Sequence, residues 1–480
     1  MTRVGILTFS DGRDFVNDEL IELNRGFENR LRARLELNGH EVVTGETVWT
    51  SALAASEAKR LAAAGCEATI FNYAVWAFPH FSAIASGFVP KPILAFSNVN
   101  PQHPGLVAML AAGGSLNQLG IPFERAWGEI EDPAVYATVD RFVRSAGVVN
   151  GLRGQTYGLI GGRSMGMYTA TVDPAGWQRQ FGIDVEHIDQ WEIVRRGALI
   201  DDARVRAGRE WLESWGNVHY DGDRLTPEIL ERQVRSYHAV RELAAEWDLS
   251  FCGIKGQPEL TNHYATMDLA EAFMNDAYDW EGPKEPIVCA TEADTDGALT
   301  MQFLKGIANT PVLFADVRHY NATAGIFDLC NSGQHATYFA AKSTDPKDNM
   351  PSVHFWPEVF YFPAGGASVQ HLAAPGRATF ARLTRKDGRY WMAILPGELV
   401  RYGDEENERY MRDTTWEWPH AFARFDATPE TFLSTFSANH IHAVYGDRTD
   451  DLIAVCRLLD VTPIVLDAAG VRNESRPVLG

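Results

Sequence analysis

The sequence predicts an α/β protein of three domains: two N-terminal domains, each built on a parallel sheet, and a β-rich C-terminal domain. Three observations carry this prediction. The chain has 480 residues, and a single hydrophobic core stops growing at roughly 250 to 300 residues. Short apolar runs alternate with longer amphipathic stretches over the first two thirds of the chain, the pattern of βα units. Beyond about residue 342, Pro, Gly and aromatic residues become more frequent, and short alternating segments take over.

The first series opens with the strand-like Val4 to Phe9 and a helical stretch about Glu19 to Asn38. It continues through Glu41 to Thr44, the Ala-rich Leu53 to Ala64, and the strand-like Ala68 to Val75 and Pro92 to Val99. The second begins at Thr156 to Ile160 and passes through Asp184 to Ile193, a helix about Pro227 to Trp247, and Leu249 to Ile254. It ends with Pro286 to Ala290, a helix about Gly297 to Ile307, and Val312 to Val317. Both series read as Rossmann-like. In the last part, Ala378 to Leu383 and Arg389 to Ile394 bracket Lys386-Asp387-Gly388, a hairpin turn signal. Asp450 to Leu459 reads as helical and Thr462 to Leu466 as extended. The expected domains are 1–153, 154–341 and 342–480.

Composition excludes several classes. Lys and Arg total 43 against 63 Asp and Glu, a net charge of -20, and that field repels phosphate backbones and anionic lipid headgroups. Neither nucleic acid nor a membrane surface is an expected partner. The five cysteines, at 66, 252, 289, 330 and 456, contain no Cys-x-x-Cys pair, so neither a disulfide framework nor a thiolate zinc site is indicated. No window approaches the roughly 18 uninterrupted apolar residues of a membrane span, and a cytoplasmic location is expected. His-Glu-x-x-His is absent, which removes the mark of zincins.

Two acidic segments carry chemistry. Glu292, Asp294 and Asp296 stand where an apolar strand gives way to a helix, the usual place for ligand contacts in α/β sheets. Asp294 or Asp296 also suits a helix cap. Asp316 lies near the C-terminal end of the next strand. If those strands were parallel neighbours, about 4.8 Å apart, Glu292 and Asp316 could share one divalent cation, and such oxygen ligands favour Mg²⁺ or Mn²⁺. A third ligand is available in Asn439-His440-Ile441-His442. Its two imidazoles share one face of an extended segment, and a hydrogen-bonded surface pair is the competing reading. The loop Gly161-Gly162-Arg163-Ser164 follows a strand but matches no nucleotide-binding pattern.

Together, Gly161-Gly-Arg-Ser-Met-Gly-Met-Tyr, Thr291-Glu-Ala-Asp-Thr-Asp-Gly-Ala-Leu-Thr-Met-Gln, Leu313-Phe-Ala-Asp-Val-Arg and Ser437-Ala-Asn-His resemble the L-fucose isomerase family. The resemblance spans almost the whole chain. It implies an Mn²⁺-dependent aldose-ketose isomerase, with Mg²⁺ or Co²⁺ as other candidates, that assembles as a homo-oligomer, trimer or hexamer. It also implies Glu292, Asp316 and His440 as metal ligands, His440 rather than His442, with Glu292 and Asp316 as general acid and base. A divalent ion chelating two neighbouring sugar oxygens stabilises enediolate charge; a hydride shift would use the same ligands. Further sugar contacts implied are Gln257, Ser332, Tyr361 and Asn439, with Arg13 and Trp76 reaching a neighbouring subunit's site. The chain is shorter than well-known members, so the expected substrate is an open-chain monosaccharide, either fucose- or arabinose-like or an aldohexose modified at C6, for example by a sulfonate that Arg13 or Arg163 would pair with. The competing readings are a non-catalytic sugar-binding protein and a metal-dependent sugar lyase or epimerase.

Overall fold

The computed structural model describes residues 1–332 and 335–475. The chain divides into two compact units, residues 1–151 and 152–475. Two parallel α/β sheets are followed by a larger, mixed sheet rich in β structure.

The N-terminal unit is built on five parallel strands, Arg3–Thr8, Glu41–Val43, Ala68–Tyr73, Ile93–Ser97 and Glu124–Trp127, in the spatial order second, first, third, fourth, fifth. The third and fourth are buried along their whole length, as near-continuous apolar runs require when helices cover both faces. The helix Ser51–Ala63 starts where the Thr50 hydroxyl accepts the Leu53 amide at 3.2 Å.

The second unit opens with four parallel strands in the spatial order Val288–Thr291, Phe251–Ile254, Thr156–Ile160 and Asp184–Ile188. The helix Pro227–Glu246 on this sheet begins with proline, whose missing N–H costs nothing there, and is capped by the Thr226 hydroxyl. The mixed sheet is different in kind. Gly376–Lys386, His440–Tyr445, Leu313–Asn321, Ile326–Cys330, His420–Phe425 and Arg389–Val400 pair in that order, each antiparallel to the next, and the last pairs back to the first. Six strands thus close a ring, and Thr462–Asp467 adds in parallel to Arg389–Val400. The hairpin at Lys386-Asp387-Gly388 forms as the sequence predicts: Lys386 faces Arg389, and Asp387 and Gly388 both take positive φ, 52° and 73°.

One expectation needs correction. Glu292 and Asp316 do not sit at the ends of neighbouring parallel strands. Val288–Thr291 is the edge of the parallel sheet, whereas Leu313–Asn321 belongs to the ring and runs antiparallel to both its neighbours. The intervening helix Thr295–Ala308 is buried from Thr295 through Leu304. It packs against Val288–Thr291 on one side and against Gly376–Lys386 and His440–Tyr445 on the other. A helix covered on all sides serves as a wall between two sheets, and this one carries the chain out of the first sheet into the second. The ring therefore draws strands from both sides of residue 342.

Candidate metal centre

The site begins where the edge strand Val288–Thr291 ends. Glu292 and Ala293 both adopt left-handed backbone, with φ of 54° and 50°, which costs non-glycine residues on the order of 1 kcal/mol each and persists only where the surroundings impose it. Here the Ala293 amide donates to the Ile254 carbonyl and the Asp294 amide to the Thr291 carbonyl, each at 2.9 Å. The turn points the Glu292 side chain away from its own sheet and starts the helix, with Asp294 Oδ1 accepting the Gly297 amide at 3.0 Å.

The ring supplies the remaining groups. Asp316 and His440 are register partners on adjacent antiparallel strands. His440 Nε2 lies 3.3 Å from Glu292 Oε2 and 3.3 Å from Asp316 Oδ1. It is buried and has no hydrogen bond of good geometry. On the opposite side of the ring, Nδ1 donates to Asp294 Oδ2 at 2.6 Å. Asp294 is in turn gripped by Arg382, through Nη1 at 2.5 Å and Nη2 at 3.1 Å, and Asp294, Arg382 and His440 are all fully buried. Burial opposes the charge on Asp294, but the Arg382 guanidinium and the His440 hydrogen bond outweigh it and hold the carboxylate well below its usual range. Burial also works against a charged His440, yet its contacts with Asp294 and Glu292 and the charges of Asp294 and Asp316 push it up to about 10. Burial pushes Asp316 up to about 6 despite the nearby His440, with the Glu292 charge adding to the rise.

Of the residues singled out from sequence, the structure brings six together: Glu292, Asp294, Asp316, His440, Gln257 and Asn439. The Gln257 amide donates to Glu292 Oε1 at 3.3 Å and the Asn439 amide to Asp316 Oδ1 at 3.3 Å. Ser332 stands next to this group; its peptide N–H and hydroxyl donate to Asn331 Oδ1 at 2.5 and 3.2 Å. Tyr361 is exposed and lies against Phe360, ring centroids 4.0 Å apart and planes tilted by 34°. His442 shares the buried face with His440, both packed on Phe314, but it meets Arg382 Nη1 at 3.2 Å rather than a carboxylate of the site. The surface-pair reading of the two histidines is thereby set aside, since both are fully buried. Arg163 lies over the Tyr168 ring. Arg13 and Trp76 belong to the N-terminal unit, where Arg13 forms a two-point pair with Asp11 at 2.9 and 2.7 Å and Trp76 is half-buried against the sheet core.

Two residues escaped the sequence reading, and so did the second role of a third. Asn331 donates to Asp316 Oδ2 at 3.1 Å, and its only signal was adjacency to Ser332. Asp294 was read as a cap; it caps the helix and holds His440 at once. Arg382 gave no signal, because nothing local to a β-hairpin announces a partner 88 residues away.

A second group of ligand-type side chains lies on the same ring. The ligand atoms of Asp328, Cys330 and His420 fall within 4.8 Å of one another, close enough to hold a divalent metal. Here, however, His420 Nδ1 is 3.0 and 3.1 Å from the two Asp328 oxygens and Nε2 is 3.0 Å from the Thr415 carbonyl. Both ring nitrogens face acceptors, so a cation would have to displace a proton already hydrogen-bonded. At His440 both nitrogens also face carboxylates, but Nε2 makes no hydrogen bond of good geometry with the two that it faces. Two carboxylates and one imidazole are donors of the kind that hard divalent ions take.

Comparison with known proteins agrees with this architecture. Three models match the chain: L-fucose isomerase, first N-terminal domain, over residues 1–154; L-fucose isomerase, second N-terminal domain, over 237–309; and L-fucose isomerase, C-terminal domain, over 329–466. Similar curated proteins include an L-fucose isomerase of Haemophilus influenzae, 26% identical over 91% of this chain and 86% of the relative. One of Bacteroides fragilis is 24% identical over 96% and 92%, and one of Salmonella arizonae 26% identical over 78% and 76%. With matches that run from residue 1 to residue 466 and relatives aligned over most of their own length, the chain belongs to the L-fucose isomerase family.

Proposed function

We propose that the protein is an Mn²⁺-dependent aldose-ketose isomerase acting on an open-chain monosaccharide. The observation that carries the reading is the orphaned His440 Nε2 held 3.3 Å from a carboxylate of each of two separate sheets. Family membership and the relatives' activity support it. Of the two ligand clusters, the reading takes Glu292, Asp316 and His440, because Nε2 of the histidine faces two carboxylates and makes no hydrogen bond of good geometry.

A divalent ion held by these three residues would polarise a carbonyl and acidify a neighbouring hydroxyl, and would stabilise the negative charge that develops between them. The chain's own groups supply proton movement and orientation. Glu292 and Asp316 are the general acid and base for the transfer between C2 and C1 and between the two oxygens. Gln257 fixes Glu292, and Asn331 and Asn439 fix the two oxygens of Asp316, so that neither carboxylate has to reorient during the reaction. Asn439, Ser332 and Tyr361 offer hydrogen bonds to sugar hydroxyls. Substrates of the fucose and arabinose type, and aldohexoses modified at C6, fall within the reading. A homo-oligomer, trimer or hexamer, would add Arg13 and Trp76 from a neighbouring subunit.

The test is incubation with Mn²⁺ and a panel of aldoses in D₂O, including L-fucose, D-arabinose, L-arabinose and C6-modified glucoses, followed by NMR. Ketose formation with deuterium at C1 is expected. Binding of sugars by metal-loaded protein, with no conversion of any, would favour a sugar-binding protein instead.

A further inference from the structure

We propose that Asp294 is a positioning residue for the metal site, fixing the tautomer of His440, and that the buried Arg382 holds Asp294 to that task. The inference rests on the metal-centre reading of Glu292, Asp316 and His440 and adds to it the group that makes the imidazole competent.

An imidazole binds a cation through a nitrogen lone pair, and which nitrogen has it is decided by the hydrogen bond made at the other. His440 Nδ1 donates to Asp294 Oδ2 at 2.6 Å, so in the neutral ring the lone pair falls on Nε2, the atom facing Glu292 and Asp316. A helix cap alone would need one oxygen of Asp294 and no arginine. Here Oδ1 accepts the Gly297 amide, Oδ2 accepts His440, and the Arg382 guanidinium spans both. Arg382 comes from the ring strand Gly376–Lys386, which pairs with the strand carrying the two histidines. It also donates from Nη1 to His442 Nε2 at 3.2 Å, so His442 serves the arginine while His440 serves the site. An asparagine at 294 would turn an amide NH₂ toward either Arg382 or His440, both of which are donors there, and the preference for the Nδ1–H tautomer would be lost.

The experiment measures Mn²⁺ affinity directly, from the EPR signal of free Mn²⁺, with circular dichroism and thermal unfolding on the same samples. Asp294→Asn should weaken binding by about tenfold to a hundredfold, the range for groups that orient a ligating histidine. Because that variant leaves Arg382 buried without its partner, the double variant Asp294→Asn/Arg382→Gln removes both charges together, a change that buried pairs tolerate better. It should fold and show the same loss. Asp296→Asn is the control: it removes a buried carboxylate two residues away that pairs with Arg385 and not with His440, and its affinity should stay within about twofold of wild type. A folded double variant with wild-type affinity, or a loss in Asp296→Asn equal to that in Asp294→Asn, would overturn the proposal. Wild-type affinity in His440→Gln would instead overturn the metal-centre reading, and the role of Asp294 with it.

Discussion

Asp316 and His440 face each other as register partners across two antiparallel strands of the ring, and Oδ1 of the first lies 3.3 Å from Nε2 of the second. Opposed side chains in such a pair have Cβ atoms about 4.5 to 5.5 Å apart. Two of the three proposed ligands are thus set by strand register rather than by loop conformation. A slip of one residue would carry His440 to the other face of the sheet. Glu292 arrives from the parallel sheet, so the site exists only where the two sheets of the second unit meet.

Glu292→Gln keeps the volume of the side chain and removes its charge. Turnover should fall by about 10²- to 10⁴-fold, the range for losing a general acid or base, while the thermal unfolding midpoint stays close to wild type. Steady-state assays and a melting curve on the same preparation check this; undiminished turnover would contradict the assignment.

Gly253 lies outside the proposed ligand set, yet it supports the Glu292 turn. A Cβ there would stand 2.4 Å from Tyr157 Oη and 3.2 Å from Ala293 Cα. Gly253→Ala should therefore cost about 1 to 3 kcal/mol of stability, the usual range for overpacking, and weaken Mn²⁺ binding through the displaced turn. Chemical unfolding and metal titration measure the two effects separately.

Asn331→Ala removes the donor to Asp316 Oδ2 but leaves Asn439 on Oδ1. Activity or metal affinity should drop by about tenfold to a hundredfold. Asn331→Asp should be worse, because it sets a second negative charge against Asp316 in a buried setting.

The Asp328–His420 pair sets a pH signature. Burial disfavours the charged ring, but the Asp328 charge, with further help from Cys330 and the hydrogen bond to Asp328, raises His420 well above its ordinary value. A histidine raised in the folded state contributes stability that is complete below the unfolded value of about 6.5 and is lost as pH rises through the folded value. Asp328→Asn should thus cost about 3 to 5 kcal/mol near pH 6, as for a buried pair that loses one partner, and less at pH 9. Denaturant unfolding at both pH values checks this; a cost that does not change with pH would contradict it.

The sequence conveyed the alternation of strands and helices well, because periodicity is local and the parallel strands are buried on both faces. It conveyed Glu292, Asp316 and His440 through motifs. What it could not convey was how they meet. The helix Thr295–Ala308 is apolar enough to be covered on all sides, and that leaves open whether the following strand joins the same sheet or another. The closure of the ring depends on pairings such as Gly376–Lys386 with His440–Tyr445, which no local pattern specifies. Asp294 was legible as a cap because capping is local, whereas its grip on His440 spans 146 residues. The group Asp328, Cys330 and His420 was not legible either: Asp328 and Cys330 share the strand Ile326–Cys330, but His420 comes from the neighbouring strand, 90 residues further along the chain.

The most direct test of the metal centre is Mn²⁺ stoichiometry by EPR on wild type, His440→Gln and Cys330→Ala. One ion per chain is expected in wild type and in Cys330→Ala, and its loss in His440→Gln. An ion retained in His440→Gln and lost in Cys330→Ala would move the metal to the Asp328, Cys330 and His420 group and contradict the account.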